Sequence, residues 1–220
     1  MSLINKIIAA LRKPGVNPGN FNDPIAEKIS WAPLKGGGTN FKTRKFVKVN
    51  ENRVVFERTL MMKIFPWIFI CGPFIVFIII YGKGELIVNI NEIFSQTNSI
   101  LLVPLVLLSL GVFMFFKTKK SIVFDKRYGY YWKGKAEPET YNLTENKNFV
   151  RLSDIYAIQL IREYISNTSK SGGSYYSYEI NLVLKDESRV NVVDHGHKKS
   201  IVEDSRLLAD FLNVPVWSAL

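Results

Sequence analysis

The stretch Ile64-Phe65-Pro66-Trp67-Ile68-Phe69-Ile70-Cys71-Gly72-Pro73-Phe74-Ile75-Val76-Phe77-Ile78-Ile79-Ile80-Tyr81-Gly82 is a run of 19 positions without a charge, and a second run of 24 such positions extends from Ile93 to Phe116. Leu, Ile, Phe and Val supply 12 residues of the first and 15 of the second. Each contributes about −0.3 to −0.6 kcal/mol in mid-bilayer, enough to offset the prolines and few polar groups. A helix of 19 residues covers roughly 28 Å, close to the hydrocarbon thickness of about 30 Å. The expectation is a transmembrane helical hairpin over 64–116, with Pro66, Pro73 and Pro104 at kinks or near ends.

Working outward, the cations set an orientation, because the translocated side of a membrane protein is poor in Lys and Arg. Residues 1–58 carry 11 of them and residues 117–220 carry 16, whereas the connection 83–92 holds Lys83 with Glu85 and Glu92. Both termini are therefore expected in the cytoplasm of a bacterial inner membrane, with the connection outside. Of the 220 residues 47% are apolar and the formal charge is +10, but the apolar residues are concentrated in these two blocks. Disorder and a disulfide scaffold are excluded, since one cysteine, Cys71, cannot form a bridge within the chain.

Before the runs, Ile4, Ile7, Ile8 and Leu11 share a helical face flanked by Lys6, Arg12 and Lys13. This reads as a short amphipathic helix lying on a membrane surface or packed on the protein itself, and not as a signal peptide. Residues 14–38 are rich in Pro, Gly and Asn and end in Gly36-Gly37-Gly38, which reads as a linker. The remainder, 39–63 and 117–220, is enough for one domain. Alternation marks strands at 46–49, 54–56, 121–124, 130–133, a long one at 149–162 in which Tyr156, Ile158 and Leu160 share a face, and others at 180–184 and 190–192. Ser166–Gly173 reads as a polar loop. Ile201, Leu208, Phe211 and Leu212 form a helical stripe that closes near Asn213 and Pro215. The fold class expected is an α+β membrane protein, a two-helix hairpin inserted in a small antiparallel β domain with a C-terminal helix.

At this point the chain resembles pleckstrin-homology-like domains, and more closely a bacterial group with two transmembrane helices that has no assigned activity. The likeness rests on Pro33-Leu34-Lys35-Gly36-Gly37-Gly38, Asn40-Phe41-Lys42-Thr43, Ile122-Val123-Phe124-Asp125-Lys126, Trp132-Lys133-Gly134, the run from Tyr178 to Asp186, and Asn191-Val192-Val193-Asp194-His195-Gly196. It implies a split pleckstrin-homology-like cytoplasmic domain held by two tethers. It implies no reaction.

Nucleotide-loop, zinc-protease and serine-hydrolase motifs are absent from the sequence, and no cofactor is expected. The densest polar group is Asp194-His195-Gly196-His197, with Glu203 or Asp204 one turn into the following helix. Asp and two His could hold a divalent metal. The competing reading is a structural turn, with His197 or Ser200 capping the helix and Asp194 accepting amides beside Gly196. Arg58, Lys63, Lys117, Lys119 and Lys120 flank the apolar runs and read as anchors and as contacts for anionic lipid head groups. Nucleic acid is not an expected partner. Tyr128, Tyr130, Tyr131 and Trp132 read as cross-strand pairs.

The function expected is a non-catalytic integral membrane adaptor or scaffold that binds a protein or forms a homo-oligomer, with sheet edges and the loop Ser166–Gly173 as contact surfaces. Gly72, Gly82, Ser109 and Gly111 would permit close helix approach. The alternatives are an immunity protein against a membrane-acting toxin and a metal-dependent membrane enzyme using Asp194, His195 and His197.

Overall fold

A computed structural model describes residues 16–81, 98–118, 120–134, 137–138, 149–166 and 173–220. The chain forms two compact units: Met1–Glu57 with Ser121–Leu220, and Arg58–Lys120. The expected N-terminal helix and the connection 83–92 lie outside the described residues, as does most of the loop Ser166–Gly173.

In the first unit, β1 (Arg44–Asn50), β2 (Arg53–Arg58), β3 (Ile122–Asp125), β4 (Tyr130–Lys133) and β5 (Phe149–Arg151) form one sheet in chain order. The register runs from Arg53 opposite Asp125 to Phe56 opposite Ile122, so β2 and β3 pair antiparallel across the interval that the second unit occupies. A 3₁₀ turn, Leu152–Asp154, breaks the expected long strand and leads into β6 (Ile155–Ile165) of a second sheet. That sheet adds β7 (Tyr175–Leu184), β8 (Arg189–His195) and β9 (Val216–Ala219) in the order β8-β7-β6-β9. β9 was not expected. It follows the terminal helix and runs parallel to β6.

Between the sheets lies one core. Val54, Phe56, Ile122, Phe124 and Tyr131 from the first sheet meet Ile158, Leu160, Ile180 and Leu182 from the second. The terminal helix, Lys198–Leu212, is the fourth α-helix among the described residues (α4), and it adds Ile201 and Leu208 to this core. Fully burying each such side chain stabilises the fold by about 1.5–3 kcal/mol. α4 ends on Asn213, whose φ of 57° and amide bond to the Ala209 carbonyl close the helix before Pro215.

The other face of the second sheet is covered by the segment read as a linker. A 3₁₀ turn, Pro18–Phe21, and the short helix α1 (Pro24–Lys28) start behind Asn17 and Asp23, whose side chains accept amide hydrogen bonds from the turns that follow. Trp31 stacks on Phe21 at 5.1 Å and donates to the Ala26 carbonyl at 2.9 Å. Together with Ala26 and Ile29 it packs on Ala157, Val183, Trp217 and Ala219. The linker reading failed because turn-rich composition does not preclude packing when a few large apolar groups find a sheet face. A bulge between Ile155 and Ala157 also turns Tyr156 to this side, away from Ile158 and Leu160.

The second unit holds α2 (Leu60–Tyr81) and α3 (Asn98–Thr118), packed on one another. Trp67 and Phe115 meet edge to face at 5.8 Å. Among the described residues no helix is long and apolar enough to cross a membrane. The expected transmembrane hairpin over 64–116, the inner-membrane location and the cytoplasmic orientation of the termini do not hold. The fold is α+β with two largely antiparallel sheets.

Two glycines of this unit behave differently. A Cβ at Gly111 would lie 2.8 Å from Ile70 Cγ1 and 3.0 Å from the Ile70 amide nitrogen, so Gly111 sets the α2–α3 approach, whereas a Cβ at Gly72 meets nothing within 4 Å. Ser109 donates to the Leu105 carbonyl within its own helix, and Gly82 is outside the described residues. Gly111→Ala is expected to lower stability by about 1–3 kcal/mol through overpacking. Gly72→Ala is expected to be neutral or stabilising by up to about 1 kcal/mol. Denaturant unfolding followed by far-UV circular dichroism checks both.

Candidate functional site

Strand alternation gives the second sheet a face opposite the core, and this face carries Gln159 on β6, Ser177, Glu179 and Asn181 on β7, and Arg189, Asn191 and Asp194 on β8. Gln159 lies opposite Asn181, Asn181 opposite Asn191, and Glu179 opposite Asp194. Glu179, Gln159 and Asn181 are fully buried beneath the N-terminal segment, which crosses here as a strap over residues 30–43.

A carboxylate in such a place needs donors, and the strap supplies them. The amides of Leu34 and Lys35 donate to the two Glu179 oxygens at 2.9 and 2.6 Å, and Asn181 Nδ2 donates to the first of these at 3.0 Å. Gly37, at φ 80°, points its amide at Glu163 at 3.2 Å. Gln159 Nε2 donates to the Ser30 carbonyl, and Arg189 Nη1 to the Ala32 carbonyl and Gln159 Oε1, each at 3.0–3.1 Å. Further along, Tyr175 donates to the Gly38 carbonyl at 2.7 Å, Thr43 to the Asp194 carbonyl at 2.8 Å, and the Gly196 amide to the Phe41 carbonyl at 3.1 Å. No side chain fits at Gly38, where a Cβ would fall on Ser177 Oγ and Asp194 Oδ1, nor at Gly196, where it would fall on the Asn40 backbone. The Gly36–Gly38 loop therefore binds an anion, but the anion belongs to its own chain.

The expected constellation Asp194, His195 and His197 does not converge. Asp194 faces the strap and accepts from Ser177 Oγ at 2.8 Å. Burial pushes its carboxyl above the usual range, Glu179 and Glu163 add to this, and the Ser177 hydroxyl works against it. His195 points the other way: it is fully buried opposite Tyr178, and its Nδ1 accepts the His197 amide at 3.2 Å. Burial, with lesser contributions from Lys42 and His197, pulls its imidazole down to about 4. His197 is exposed and caps α4 by accepting from the Ser200 amide at 3.2 Å. Asp204 lies on the buried side of α4, 3.8 Å from Lys42 Nζ, and burial raises its carboxyl. Among the described residues no three His, Cys, Asp or Glu side chains form a group that could hold a metal.

The predicted cation belt is likewise dispersed in role. Arg58 ends β2 and Lys63 sits in the first turn of α2, behind Thr59, whose carbonyl accepts the Lys63 amide at 3.1 Å. Lys117 lies over the Phe113 ring at 5.4 Å in the last turn of α3, Lys120 is exposed, and Lys119 is outside the described residues.

An open groove of about 760 Å³ runs along α4, lined by Lys198, Lys199, Val202, Glu203, Arg206 and Leu207. Sequence reading missed both this groove and the carboxylate that fixes the strap. Helical spacing places Lys199 and Arg206 on the side opposite Ile201 and Leu208. Glu179 could have been noticed as a lone ionisable residue between Tyr178 and Ile180 in a strand pattern.

Glu179→Gln replaces an acceptor-only group with one that also donates, and leaves a strap amide unsatisfied. It is expected to cost about 1–3 kcal/mol and to speed tryptic cleavage at Lys35, with urea unfolding and timed digestion as the measurements. His195, with a folded pKa of about 4 against an ordinary 6.5, stabilises the fold fully above pH 6.5, and that contribution is lost as pH falls towards 4. The loss amounts to up to roughly 3 kcal/mol. The raised carboxyls of Asp194 and Asp204 act in the opposite sense at the acid end of this window. His195→Asn is expected to flatten the stability profile between pH 6.5 and 4. No family model, no curated protein and no solved structure matches the chain.

Proposed function

We propose that this chain is a non-catalytic adaptor whose β unit, of pleckstrin-homology-like topology, binds a protein partner through the outer face of α4. The observation that carries this reading is the α4 groove, where Lys198, Lys199 and Arg206 surround Val202 and Leu207, with Glu203 the one acid among the lining side chains. Cations around an apolar strip suit an acidic amphipathic segment, the helix-in-groove mode of recognition. The fate of the chemically capable groups supports it: Glu163 and Glu179 hold the strap, the Asp194 carboxyl accepts from Ser177, His195 is buried and His197 caps a helix. A base or nucleophile needs access to substrate; the carboxylates and His197 spend polar atoms on the fold, and His195, whose Nε2 has no hydrogen-bond partner among the described residues, is fully buried. Two packed sheets with a C-terminal helix, and a helical unit between the second and third strands, support the topological likeness.

Titrating the full chain with a synthetic acidic amphipathic helix, followed by fluorescence anisotropy, tests the reading. Binding is expected to weaken as salt rises, to fall at least tenfold in a Lys199→Glu/Arg206→Glu variant and to strengthen in Glu203→Lys. Affinity indifferent to these charges would overturn it.

A further inference from the structure

On α2, the residues turned towards α3 include Pro66, Phe69 and Ile70. The opposite side carries Met61, Ile64, Ile68, Cys71, Ile75 and Ile78, spaced 3, 4, 3, 4 and 3 residues apart. This is the a/d repeat of a coiled-coil seam, continued over 18 residues. Every one of the six is exposed, the four isoleucines at 50–66%. Among the described residues nothing in the second unit covers them, and none of the positions carries a charge that would select an acidic or basic partner.

We propose that the outer seam of α2 is a homo-oligomer interface, occupied by the same seam of further copies of this chain. Three features argue for a copy over another occupant. First, a heptad seam is self-complementary: its knobs fit the holes of an identical helix under rotational symmetry. Second, the area suffices. Phe65 and Phe74 flank the seam and are also exposed, and with roughly 100 Å² open on each large side chain the face offers on the order of 800 Å², about what one partner contributes to a stable interface. Third, isoleucine stands at both a and d positions, Ile68 and Ile75 at one and Ile64 and Ile78 at the other, the arrangement that favours three or four strands over two. The outer side of α3 also has exposed apolar residues, including Val106 and Phe113, but it ends in a charge at Lys117.

Sedimentation of the full chain in a density-matched non-ionic detergent tests this, with bismaleimide cross-linking through Cys71 as a second measurement. The expected mass is three or four times 25.2 kDa, with cross-linked species in the wild type. Ile68→Asn/Ile75→Asn is expected to raise the dissociation constant at least 100-fold with helicity unchanged, because both side chains are more than half exposed. Val106→Asn/Phe113→Asn is expected to leave the mass unchanged. A wild-type monomer, or dissociation by the α3 substitutions and not by the α2 pair, would overturn the proposal. So would a monomer that floats with phosphatidylcholine vesicles, which would make lipid the cover of this face.

Discussion

A carboxylate placed inside a protein must be surrounded by donors, and Glu179 imposes that constraint on the whole first unit. Its two oxygens have no solvent to turn to, so the chain must return to them with amides, and it does so from residues about 145 positions earlier. The strap's path follows. Gly37 turns to reach Glu163, Gly38 slips past Ser177, and Asn40 passes over Gly196 at backbone distance. Upstream, Trp31 and α1 close over the apolar end of the same sheet face. One buried charge thus explains why a glycine-rich stretch is ordered, and why β7 is buried on both faces along most of its length.

The first sheet contains a smaller instance of the same logic. Asp125 is fully buried at the start of the β3–β4 turn and accepts from the Arg127 amide at 2.8 Å and the Arg127 guanidinium at 3.2 Å, while Arg53 approaches from the partner strand and lies over Trp132. In both sheets a buried acidic side chain fixes a turn or a crossing that hydrophobic burial alone would leave loosely specified. The core supplies the gross stability, and these carboxylates select the arrangement.

Most strands were legible in the sequence, because alternation is a local signal. The division at Leu152–Asp154 was not, since a 3₁₀ corner between two strands keeps the same residue types and changes only direction. β9 was missed because four residues, Val216 to Ala219, give too short a pattern, although Trp217 carries the burial. The strap was misread because its partners are distant in sequence and its composition is that of a loop. The apolar runs were read correctly as helices, yet a run of apolar residues in sequence does not fix what covers it. For the candidate site, Asp194, His195 and His197 are adjacent in sequence but point to different surroundings, because successive residues of a strand face opposite sides. Proximity along the chain was a poor guide to convergence.

The pairing of β2 with β3 across the helical unit has a kinetic consequence. Contacts that join distant parts of a chain are slow to form, and here both the strap and the β2–β3 ladder must wait for segments made much later. The two apolar helices, by contrast, lie close together in sequence and can meet as soon as both exist. The helical unit is therefore complete while well over half of the β unit is still missing, and its open apolar side is exposed during that interval. The hazard of aggregation thus begins while the chain is only partly made.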